Sequence, residues 1–519
     1  MDDKKICIIF DANQKNEISK LIIPDGYEIE IRSIANTNNI TKAYNEILNS
    51  SDAKYKIYIN QLVSFQNKNI LFDVIKIFLE NRKIGMLGII GTETIPTSGI
   101  WQESTNKYGK YYYVEKNNKK EIIERNIKEE YKKVKVIGSA FMATQYDVRW
   151  REELFDDMYF YDTAQCIEFI KLGYEIVVPR QDESWCTINK KYKVIPNKFE
   201  EYNEIFLKEY SKDIFPLVSI LIATYNRPNY FKIALESAIN QSYKNIEIIV
   251  GDDSTNNETQ NVIKPYIEKY KNIKYYSNGG PLGNYGVNNG LKCFKLSNGE
   301  FVNYLMDDDV FHKDKIKKMM NYFIENKKIS LVTSYRKVID KDGNEKEDIA
   351  PTKKLLDSTG TIKGNQLIQM IFHSMTNIVG EPTTVLFRKK DIADCGFGNY
   401  RGKQYISIID VASWINLLLK GDAVYISEAL SYFRIHEGQN ENRVELICNG
   451  LLEWFNLIIE YSNNEKLINY KQVVARWIYL FICILSDEDK SSQFKIAQKI
   501  KLYECYNYAI KKVLDIKLK

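Results

Sequence analysis

The sequence predicts an α/β protein with two successive α/β units and a helical C-terminal segment. Short apolar runs typical of buried strands alternate with helix-like segments over residues 1–190 and again over 216–440. A charged, helix-like connector, 191–215, joins the two units, and residues 441–519 show helical periodicity without a strand signal. The chain has 519 residues, which suggests about three domains at roughly 150 residues each.

The first unit combines apolar runs with one clear amphipathic segment. The segment NILFDVIKIFLENRK, 69–83, is helix-like, and the run IGMLGIIG, 84–91, is strand-like and closed by Gly91. Further strands are predicted at 5–10, 56–61, 134–144 and 174–179. This alternation is the basis of the α/β prediction.

The second unit opens with the strand PLVSILIATYN, 216–226, which runs into a turn. Pro228 suits the first turn of a helix that would extend to about Gln241. A later helix carries Pro265, which we expect near its start because proline disrupts a helix interior. Further strands are predicted at 246–255, 273–280, 301–305, 328–339 and 381–390.

Acidic residues follow two strands of this second unit. Asp252 and Asp253 end one strand, and Asp307 to Asp309 follow another, in the stretch EFVNYLMDDDVF. Both acidic groups should lie on one edge of a parallel sheet, where ligands of open α/β sheets bind. Adjacent carboxylates repel each other, and Mg²⁺ is commonly bound by one or two carboxylates plus substrate phosphates. The stretch predicts a metal–diphosphate site, with a charged turn after an edge strand as the alternative.

Two further residues are candidates for the chemistry. Asp410, in YISIIDVASWINLLLKG, precedes an apolar-periodic segment, so it is either a helix N-cap or a catalytic carboxylate. His436, in YFRIHEGQN, is one of 3 histidines in the chain, and a lone histidine is more often structural than catalytic. The sequence pattern alone leaves both pairs of alternatives open.

Composition excludes several classes of protein. A net charge of +5 over this length does not indicate a nucleic-acid partner. The 8 cysteines form no CxxC pair, which indicates reduced thiols and a cytoplasmic location. The N-terminus lacks the pattern of a signal peptide, and the apolar run 477–485 is too short to span a membrane. A basic amphipathic face on the C-terminal helices could contact a membrane surface or a partner.

Five ordered segments of residues 216–436 resemble the family 2 glycosyltransferases, which are inverting enzymes of the GT-A fold with nucleotide-sugar donors. The segments are VSILIATYNRPNY, IEIIVGDDST, GEFVNYLMDDDVF, IIDVASWINLL and YFRIHEGQN. The resemblance implies a uridine-type nucleotide against Asp253, with Thr224 and Tyr225 nearby and Asp307 near the ribose. It thereby implies a UDP-sugar as the donor.

The same resemblance assigns the metal and the base. Asp308 would be the principal ligand of Mn²⁺ or Mg²⁺, with Asp309 and His436 beside it, and Asp410 would be the general base. Two positions depart from the family pattern, because Met306 and Ile409 stand where many members carry acids. The acidic motif is therefore read as 307–309, and Asp410 is left as the single candidate base.

The N-terminal unit resembles glycosyltransferase-like domains of a related type. The resemblance is carried by SGIWQE (98–103), FMATQYDVRWREELFDDMYFYD (141–162) and GYEIVVPRQDESWC (173–186). Where relatives carry an acid, this chain reads Asn60-Gln61-Leu62, and no histidine follows Trp185-Cys186 up to Asn189. These departures favour a non-catalytic domain, and a second active transferase is the alternative.

These observations predict a cytoplasmic, metal-dependent, inverting glycosyltransferase. It would move a sugar from a UDP-sugar to a hydroxyl of a protein or cell-surface glycan. A nucleotidyltransferase is disfavoured because TYNRPNY is not a glycine-rich, basic phosphate loop. A non-catalytic sugar- or nucleotide-binding scaffold is the remaining alternative, which the acids at 253, 308 and 410 argue against.

Overall fold

The computed structural model describes residues 1–11, 15–34, 39–59, 63–115, 118–188, 196–437, 444–465 and 469–514. The chain divides into two compact units, Met1–Phe215 and Pro216–Lys519. Both are mixed α/β structures, as the sequence predicted.

The N-terminal unit is built on two sheets. Its described strands are β1 (Asp2–Asp11), β2 (Glu28–Ile34), β3 (Ala53–Ile59), β4 (Val63–Phe65), β5 (Ile84–Gly88), β6 (Ile90–Thr92), β7 (Lys107–Glu115), β8 (Asn118–Ile123), β9 (Tyr131–Val134), β10 (Val136–Ile137), β11 (Phe141–Thr144), β12 (Glu175–Pro179) and β13 (Cys186–Ile188). Its described α-helices are α1 (Lys15–Ile18), α2 (Ile40–Ser50), α3 (Ile70–Glu80), α4 (Tyr161–Lys171) and α5 (Pro196–Ile214). The larger sheet has the order β2-β1-β3-β11-β5-β12-β9, and the second has the order β10-β6-β7-β13-β4 with β8 paired to β7.

Aromatic packing ties α5 to this first unit. The ring of Phe206 lies 5.2 Å from that of Phe160, and the Tyr210 hydroxyl donates to Glu168 of α4 at 2.8 Å. Within the segment 191–215, which the sequence predicted as a helical connector, residues 196–214 form α5. The charged side of the helix faces solvent, whereas its aromatic side is buried.

The C-terminal unit contains a larger mixed sheet and most of the helices. Its described strands are β14 (Val218–Thr224), β15 (Ile246–Asp252), β16 (Ile273–Ser277), β17 (Phe301–Tyr304), β18 (Val310–Phe311), β19 (Ile329–Ile339), β20 (Glu345–Lys346), β21 (Gly360–Ile362), β22 (Leu386–Arg388), β23 (Asn399–Tyr400), β24 (Lys403–Gln404) and β25 (Asp422–Arg434). Its described α-helices are α6 (Pro228–Ile239), α7 (Glu258–Lys269), α8 (Val287–Leu296), α9 (Lys315–Glu325), α10 (Gly364–Ser374), α11 (Ile409–Leu418), α12 (Val444–Asn464), α13 (Tyr470–Ser486), α14 (Glu488–Ser491) and α15 (Ile496–Leu514).

Strand order brings the acidic groups to one edge of this sheet. The order is β16-β15-β14-β17-β22-β19-β25-β18, and β14 is parallel to both β15 and β17. Side chains that follow β15 and β17 therefore emerge at the same edge, as the sequence predicted. Beyond β17 the sheet becomes mixed, since β22 is antiparallel to both β17 and β19.

Glu247 of β15 stabilises the turn that leads into β17, the strand before the acidic residues. Its carboxylate accepts from Ser219 Oγ at 2.7 Å, from Lys274 Nζ at 2.8 Å and from the backbone N–H of Gly299 at 3.1 Å. Burial opposes ionisation of this group, but Lys274 and the hydrogen bonds from Ser219 and Asn298 outweigh it and lower the pKa of Glu247 to about 2. Glu247 thus joins β14, β15 and β16 to the turn that leads into β17.

Several local features of the second unit differ from the sequence expectations. Pro265 lies in the interior of α7, which begins at Glu258, because Thr259 and Ile263 bury one face of the helix and packing outweighs the missing hydrogen bond. The strand expected at 381–390 is confined to β22 and is preceded by a 3₁₀ turn at Pro382–Thr384. Strand β25, which pairs in parallel with β19, was not predicted.

The helical C-terminal segment predicted from the sequence is present and packs on α10 of the second unit. The ring of Phe372 lies 6.4 Å from Trp454 and 4.9 Å from Tyr461, both of α12. Phe455 of α12 in turn contacts Trp477 of α13, with 4.7 Å between ring centroids. Among the described residues, no helix is long and apolar enough to cross a membrane.

Candidate active site

The turn after β14 forms the first wall of the candidate site. Asn226 adopts a left-handed conformation, with φ of 51°, which asparagine tolerates better than most residues. Its backbone N–H donates to Ser254 Oγ at 2.9 Å, and its side-chain oxygen accepts from the Thr255 N–H at 3.0 Å. Pro228 occupies the first turn of α6 as predicted, so the chain leaves the sheet edge directly after Tyr225.

Asp252 and Asp253 follow β15 but make different contacts. Asp252 accepts from the Tyr275 hydroxyl at 2.7 Å and from the Ser254 N–H at 2.8 Å, so it holds the turn together. Asp253 accepts from Asn278 Nδ2 at 2.7 Å and from the Leu282 N–H at 3.2 Å. A carboxylate has about four acceptor positions, so Asp253 keeps the capacity to bind a further donor.

A cavity of about 460 Å³ lies against these turns. Its wall includes the predicted nucleotide-binding residues Thr224, Tyr225, Asp253 and Asp307. Arg227, Tyr285 and Asn289 add further polar groups to the wall. The remaining lining residues are apolar or small, namely Leu221, Ala223, Pro281, Gly283, Gly286, Val287, Gly290, Leu291, Tyr304, Leu305, Met306, Pro382, Phe397 and Ile409. An apolar cleft with a few convergent polar groups at strand ends is the usual form of a ligand site.

Asp307 and Asp308 share one cation. Arg227 Nη1 lies 3.3 Å from Asp307 Oδ1 and 2.9 Å from Asp308 Oδ2, and the Tyr225 N–H approaches Asp307 Oδ2 at 3.4 Å. Burial, and then the charge of Asp308, raise the pKa of Asp307 to about 6, although Arg227 opposes the change. This corner of the site therefore favours an additional positive charge.

His436, which follows β25, contacts the side chain of Asp308. Its Nε2 lies 3.0 Å from Asp308 Oδ2, and its ring lies 5.0 Å from that of Tyr230 on α6. Arg434, at the end of β25, donates from Nε to the Asp308 carbonyl at 2.7 Å. The end of β25 and the residues that follow it therefore contact both the backbone and the side chain of Asp308.

Asp309 lies deeper than its two neighbours. Its carboxylate accepts from the Arg434 N–H at 3.0 Å and from Thr383 Oγ1 at 2.6 Å, and it is 1% exposed. Burial, and then the charge of Asp308, raise its pKa well above the usual value. Both oxygens of Asp309 thus hold neighbouring chain segments in place.

Asp410 lies inside the first turn of α11, whereas the N-cap position is Ile408. Asn377 Nδ2 donates to Asp410 Oδ2 at 2.5 Å, and Asn377 is itself clamped to the backbone of Gly380 by bonds of 2.8 and 3.0 Å. The preceding residue, Ile409, lines the cavity. Asp410 is therefore one residue away from the cavity wall and is held in orientation by an amide.

The structure brings most of the predicted site residues together. The nucleotide-binding candidates share one cavity, Asp308 and His436 are adjacent, and Asp410 follows a cavity-lining residue. Sequence reasoning missed Arg227, Arg434 and Asn377. Arg227 and Arg434 lie within the quoted motifs and could have been found from their charge, but Asn377 stands in a stretch, SMTNIVG, with no such signal.

The described residues contain no group of three or more His, Cys, Asp or Glu side chains arranged to hold a metal ion. Mg²⁺ sites on nucleotide enzymes commonly use only one or two carboxylates, with phosphates and water as the other ligands. Asp308 and His436, which converge within 3.0 Å, fit that smaller set. In the N-terminal unit, Asn60, Gln61, Leu62 and Asn189 lie outside the described residues, so the predictions made on them stay predictions.

The parallel strands β16, β15, β14 and β17, with acids after β15 and β17 around a common cavity, define a domain of the GT-A type. Comparison with family models agrees. Residues 219–392 match the model of Glycosyl transferase family 2, and residues 8–210 match that of the Glycosyltransferase like family. The chain thus carries two glycosyltransferase domains of the family 2 type in tandem.

Relatives of this chain are named as glycosyltransferases. An uncharacterized glycosyltransferase of Rickettsia typhi is 28% identical over 229 residues, which cover 44% of this chain and 66% of the relative. A Campylobacter jejuni protein, GalNAc(5)-diNAcBac-PP-undecaprenol beta-1,3-glucosyltransferase, is 27% identical over 277 residues, which cover 50% of this chain and 80% of the relative. The chain thus spans slightly less than two thirds of the Rickettsia relative.

Among solved structures, residues 1–349 of Staphylococcus aureus TarS in complex with UDP-GlcNAc are similar to this chain. The TM-score is 0.42 and the identity is 18%, with 57% of this chain and 81% of that chain covered.

Proposed function

We propose that residues 216–440 form a metal-dependent, inverting glycosyltransferase domain that uses a UDP-sugar. The observation that carries this proposal is the shared cavity of Thr224, Tyr225, Asp253 and Asp307, beside the Asp308–His436 pair. Transfer from a nucleotide-sugar needs a nucleotide site, a positive charge on the diphosphate and a base for the acceptor, and this domain has a candidate for each.

The donor nucleotide would lie at the carboxyl ends of β14 and β15. A uracil ring presents an N–H donor, which matches the free acceptor capacity of Asp253. A ribose presents hydroxyl donors, which match Asp307 at the end of β17. The apolar wall around Leu221 and Leu291 would pack against the base and exclude water.

Asp308 and His436 would hold Mn²⁺ or Mg²⁺ together with oxygens of the diphosphate. When bound, the cation supplies positive charge that stabilises the leaving diphosphate. Arg227, which is within 3.3 Å of both Asp307 and Asp308, supplies further positive charge at the same place. Asp309 stays a candidate ligand, but it would first have to release Arg434 or Thr383.

Asp410 is the proposed general base. An acceptor hydroxyl oxygen attacks the anomeric carbon, the bond from that carbon to the diphosphate oxygen breaks, and the hydroxyl proton passes to the Asp410 carboxylate. One displacement of this kind inverts the configuration at the anomeric carbon. Asn377 orients the carboxylate through Oδ2, and the proposed acceptor is a hydroxyl of a protein or cell-surface glycan.

The N-terminal domain, proposed for residues 1–190, is assigned a non-catalytic role. The motif position that reads Asn60-Gln61-Leu62 lacks the acid expected for a metal site. A bifunctional enzyme with two active domains is the second candidate, because residues 8–210 match a glycosyltransferase-like model. A scaffold without catalysis is disfavoured by the acids at 253, 308 and 410.

We further propose a cytoplasmic location and a peripheral contact of the helical C-terminal domain, residues 441–519, with an anionic membrane surface. Ile496, Ile500 and Tyr503 form a stripe on α15 with exposed fractions of 78%, 54% and 52%. Lysines flank this stripe at 495, 499, 501, 511 and 512. Exposed aliphatic and aromatic side chains with lysines beside them suit the interface of an anionic bilayer.

A donor panel tests the proposed function. Purified full-length protein is incubated with UDP-, GDP- and TDP-sugars, with Mn²⁺, Mg²⁺ or EDTA, and nucleotide release is measured. We expect release from at least one UDP-sugar only when a divalent cation is present. Equal release in EDTA would contradict the metal assignment, and release from none of the donors would favour the scaffold.

A further inference from the structure

A carboxylate of the C-terminal helices holds the chain segment that leads into α11. Glu453, on α12, accepts three backbone N–H groups through its two oxygens. The Ile406 N–H donates to Oε1 at 3.0 Å, and the N–H groups of Ser407 and Ile408 donate to Oε2 at 2.8 and 3.0 Å. This segment ends two residues before Asp410.

The position of the three donors makes this contact unusual. The N-cap residue of α11 is Ile408, whose side chain cannot accept a hydrogen bond. Backbone N–H groups at a helix start need acceptors, and a negative charge there also complements the helix dipole. Of the three donors, the Ile408 N–H belongs to the helix start and the other two precede it, and Glu453 supplies the acceptor and the negative charge from a separate helix. The entry of the chain into α11 therefore depends on a residue that lies outside the matched family 2 segment, 219–392.

We propose that Glu453 is a positioning residue for the reaction, because it fixes the start of α11 and thereby the carboxylate of Asp410. The inference rests on the proposed role of Asp410 as general base. It assigns the C-terminal helices a part in transfer itself, in addition to their packing on the second unit.

The surroundings of Asp410 show why such a support is needed. One side of the carboxylate is held by Asn377, which is anchored on Gly380, and Trp414 Nε1 donates to the same Gly380 carbonyl at 2.9 Å. These contacts fix the loop before β22 and the body of α11. The chain that enters α11 is fixed by Glu453, so loss of that contact would let the first turn move relative to the cavity.

The test is Glu453→Gln in the full-length protein, with Glu460→Gln as matched control on the same helix. The probe reaction is UDP release from the most active UDP-sugar of the donor panel, with water as acceptor. A displacement of about 1 Å at a reacting group can cost on the order of 100-fold, so we expect kcat to fall about 10- to 100-fold in Glu453→Gln. The donor KM and the Kd for UDP should stay within about twofold of the unmodified protein, as should all three quantities in Glu460→Gln.

A double-mutant cycle separates a positioning role from general destabilisation. If Glu453 acts through Asp410, Glu453→Gln should cause no further loss in an Asp410→Asn background. A further 10-fold loss in that background, or full activity of Glu453→Gln alone, would overturn the inference. If Asp410→Asn itself retains full activity, the base assignment fails, and the inference fails with it for that separate reason.

Hydrogen exchange gives a readout that is independent of turnover. Amides of residues 406–408 should exchange faster in Glu453→Gln than in Glu460→Gln, while peptides from β14 and β15 stay unchanged. If Glu453→Gln does not fold, Glu453→Asp retains the charge on a shorter side chain and should give a smaller fall in kcat with the same donor KM. Unchanged exchange at 406–408, or unchanged kcat in the only folded variant, would overturn the inference.

Discussion

His436 Nε2 lies 3.0 Å from Asp308 Oδ2, although 128 residues separate the two in sequence. The contact is possible because β25 pairs with β18, which directly follows the acidic stretch. A carboxylate and an imidazole that lie this close together can bind the same divalent cation, with phosphate oxygens as further ligands.

We expect Asp308→Asn to lower sugar transfer at least about 100-fold. A cation contributes several kcal/mol to the stability of the leaving diphosphate, and each 1.4 kcal/mol corresponds to about tenfold in rate. Asn preserves the shape of the side chain but removes its charge, so the fold should persist. The measurement is UDP release with Mn²⁺ or Mg²⁺ and with EDTA, and exposed Asp342→Asn is the control. Activity that survives both Asp308→Asn and EDTA would exclude this metal site.

Asp410→Asn distinguishes a base from a structural residue. Loss of general-base catalysis typically costs on the order of 10²–10⁴ in rate, so transfer should fall at least a hundredfold. The loss of charge in the first turn of α11 should cost only about 0.3–1 kcal/mol of stability. UDP titration and thermal unfolding are the controls, and both should stay close to those of the unmodified protein. A transfer rate near that of the unmodified protein would leave Asp410 with a structural role only.

The full-length chain should bind one UDP in the presence of Mn²⁺, and Asp253→Asn should weaken that binding at least about tenfold. A hydrogen bond to a charged group contributes about 1.5–3 kcal/mol, which corresponds to this factor or more. Calorimetric titration gives both stoichiometry and affinity, with Asp342→Asn as the control. A second UDP per chain would indicate that the N-terminal domain also binds nucleotide, and unchanged affinity of Asp253→Asn would contradict the role proposed for Asp253.

Stability should depend on pH through Glu247. Its pKa is lowered from 4.5 to about 2 in the folded state, so its contribution is present above the unfolded pKa and is lost as pH falls from about 5 towards 2. The shift corresponds to roughly 3 kcal/mol at neutral pH. Glu247→Gln should therefore be less stable than the unmodified protein at pH 7, and the difference should shrink by pH 3. Urea unfolding across this range measures it, exposed Glu268→Gln serves as control, and a pH-independent difference would contradict the assignment.

The stripe on α15 should bind anionic vesicles. Replacing Ile496 and Ile500 together by Asp removes two apolar contacts, each worth about 1.5–3 kcal/mol when fully buried, and adds repulsion from the lipid charge. We expect at least about a tenfold loss of sedimentation with vesicles that contain phosphatidylglycerol, and weaker binding of the unmodified protein at high salt. Ile233→Asp, at an exposed position of α6, is the matched control. Failure to bind either kind of vesicle would argue against a membrane surface as the partner, and equal binding of neutral and anionic vesicles would argue against an anionic one.

The sequence predicted those parts of the site that local pattern determines. Apolar runs that end in acids located β15 and β17, and the strand that opens the second unit located β14, because the carboxyl ends of parallel strands meet at one edge. Thr224, Asp253 and Asp307 therefore share a cavity as expected. The identity of these residues and their distance from a strand end were sufficient to predict that they lie close together.

Contacts between distant segments could not be predicted in this way. Asn377 and Glu453 carry no local signal, since an asparagine in a loop and a glutamate on a helix are both usually solvated. Strand β25 was missed because its burial pattern changes along its length, from fully buried residues near Val424 to partly exposed ones near Glu428. Pro265 is a further example, because the packing of α7 outweighed the local preference of proline for the first turn of a helix.

The bonds from Glu453 to residues 406–408 limit how this protein can be recombined with others. A chimera that joined residues 1–440 to the C-terminal helices of a relative would keep every residue proposed to touch the donor. It would nevertheless lack the Glu453 carboxylate, which accepts the backbone N–H groups before α11, unless the foreign helix carried an acid at the equivalent position. Such chimeras should therefore retain nucleotide affinity and lose turnover, so binding alone would be a misleading criterion for selecting functional exchanges.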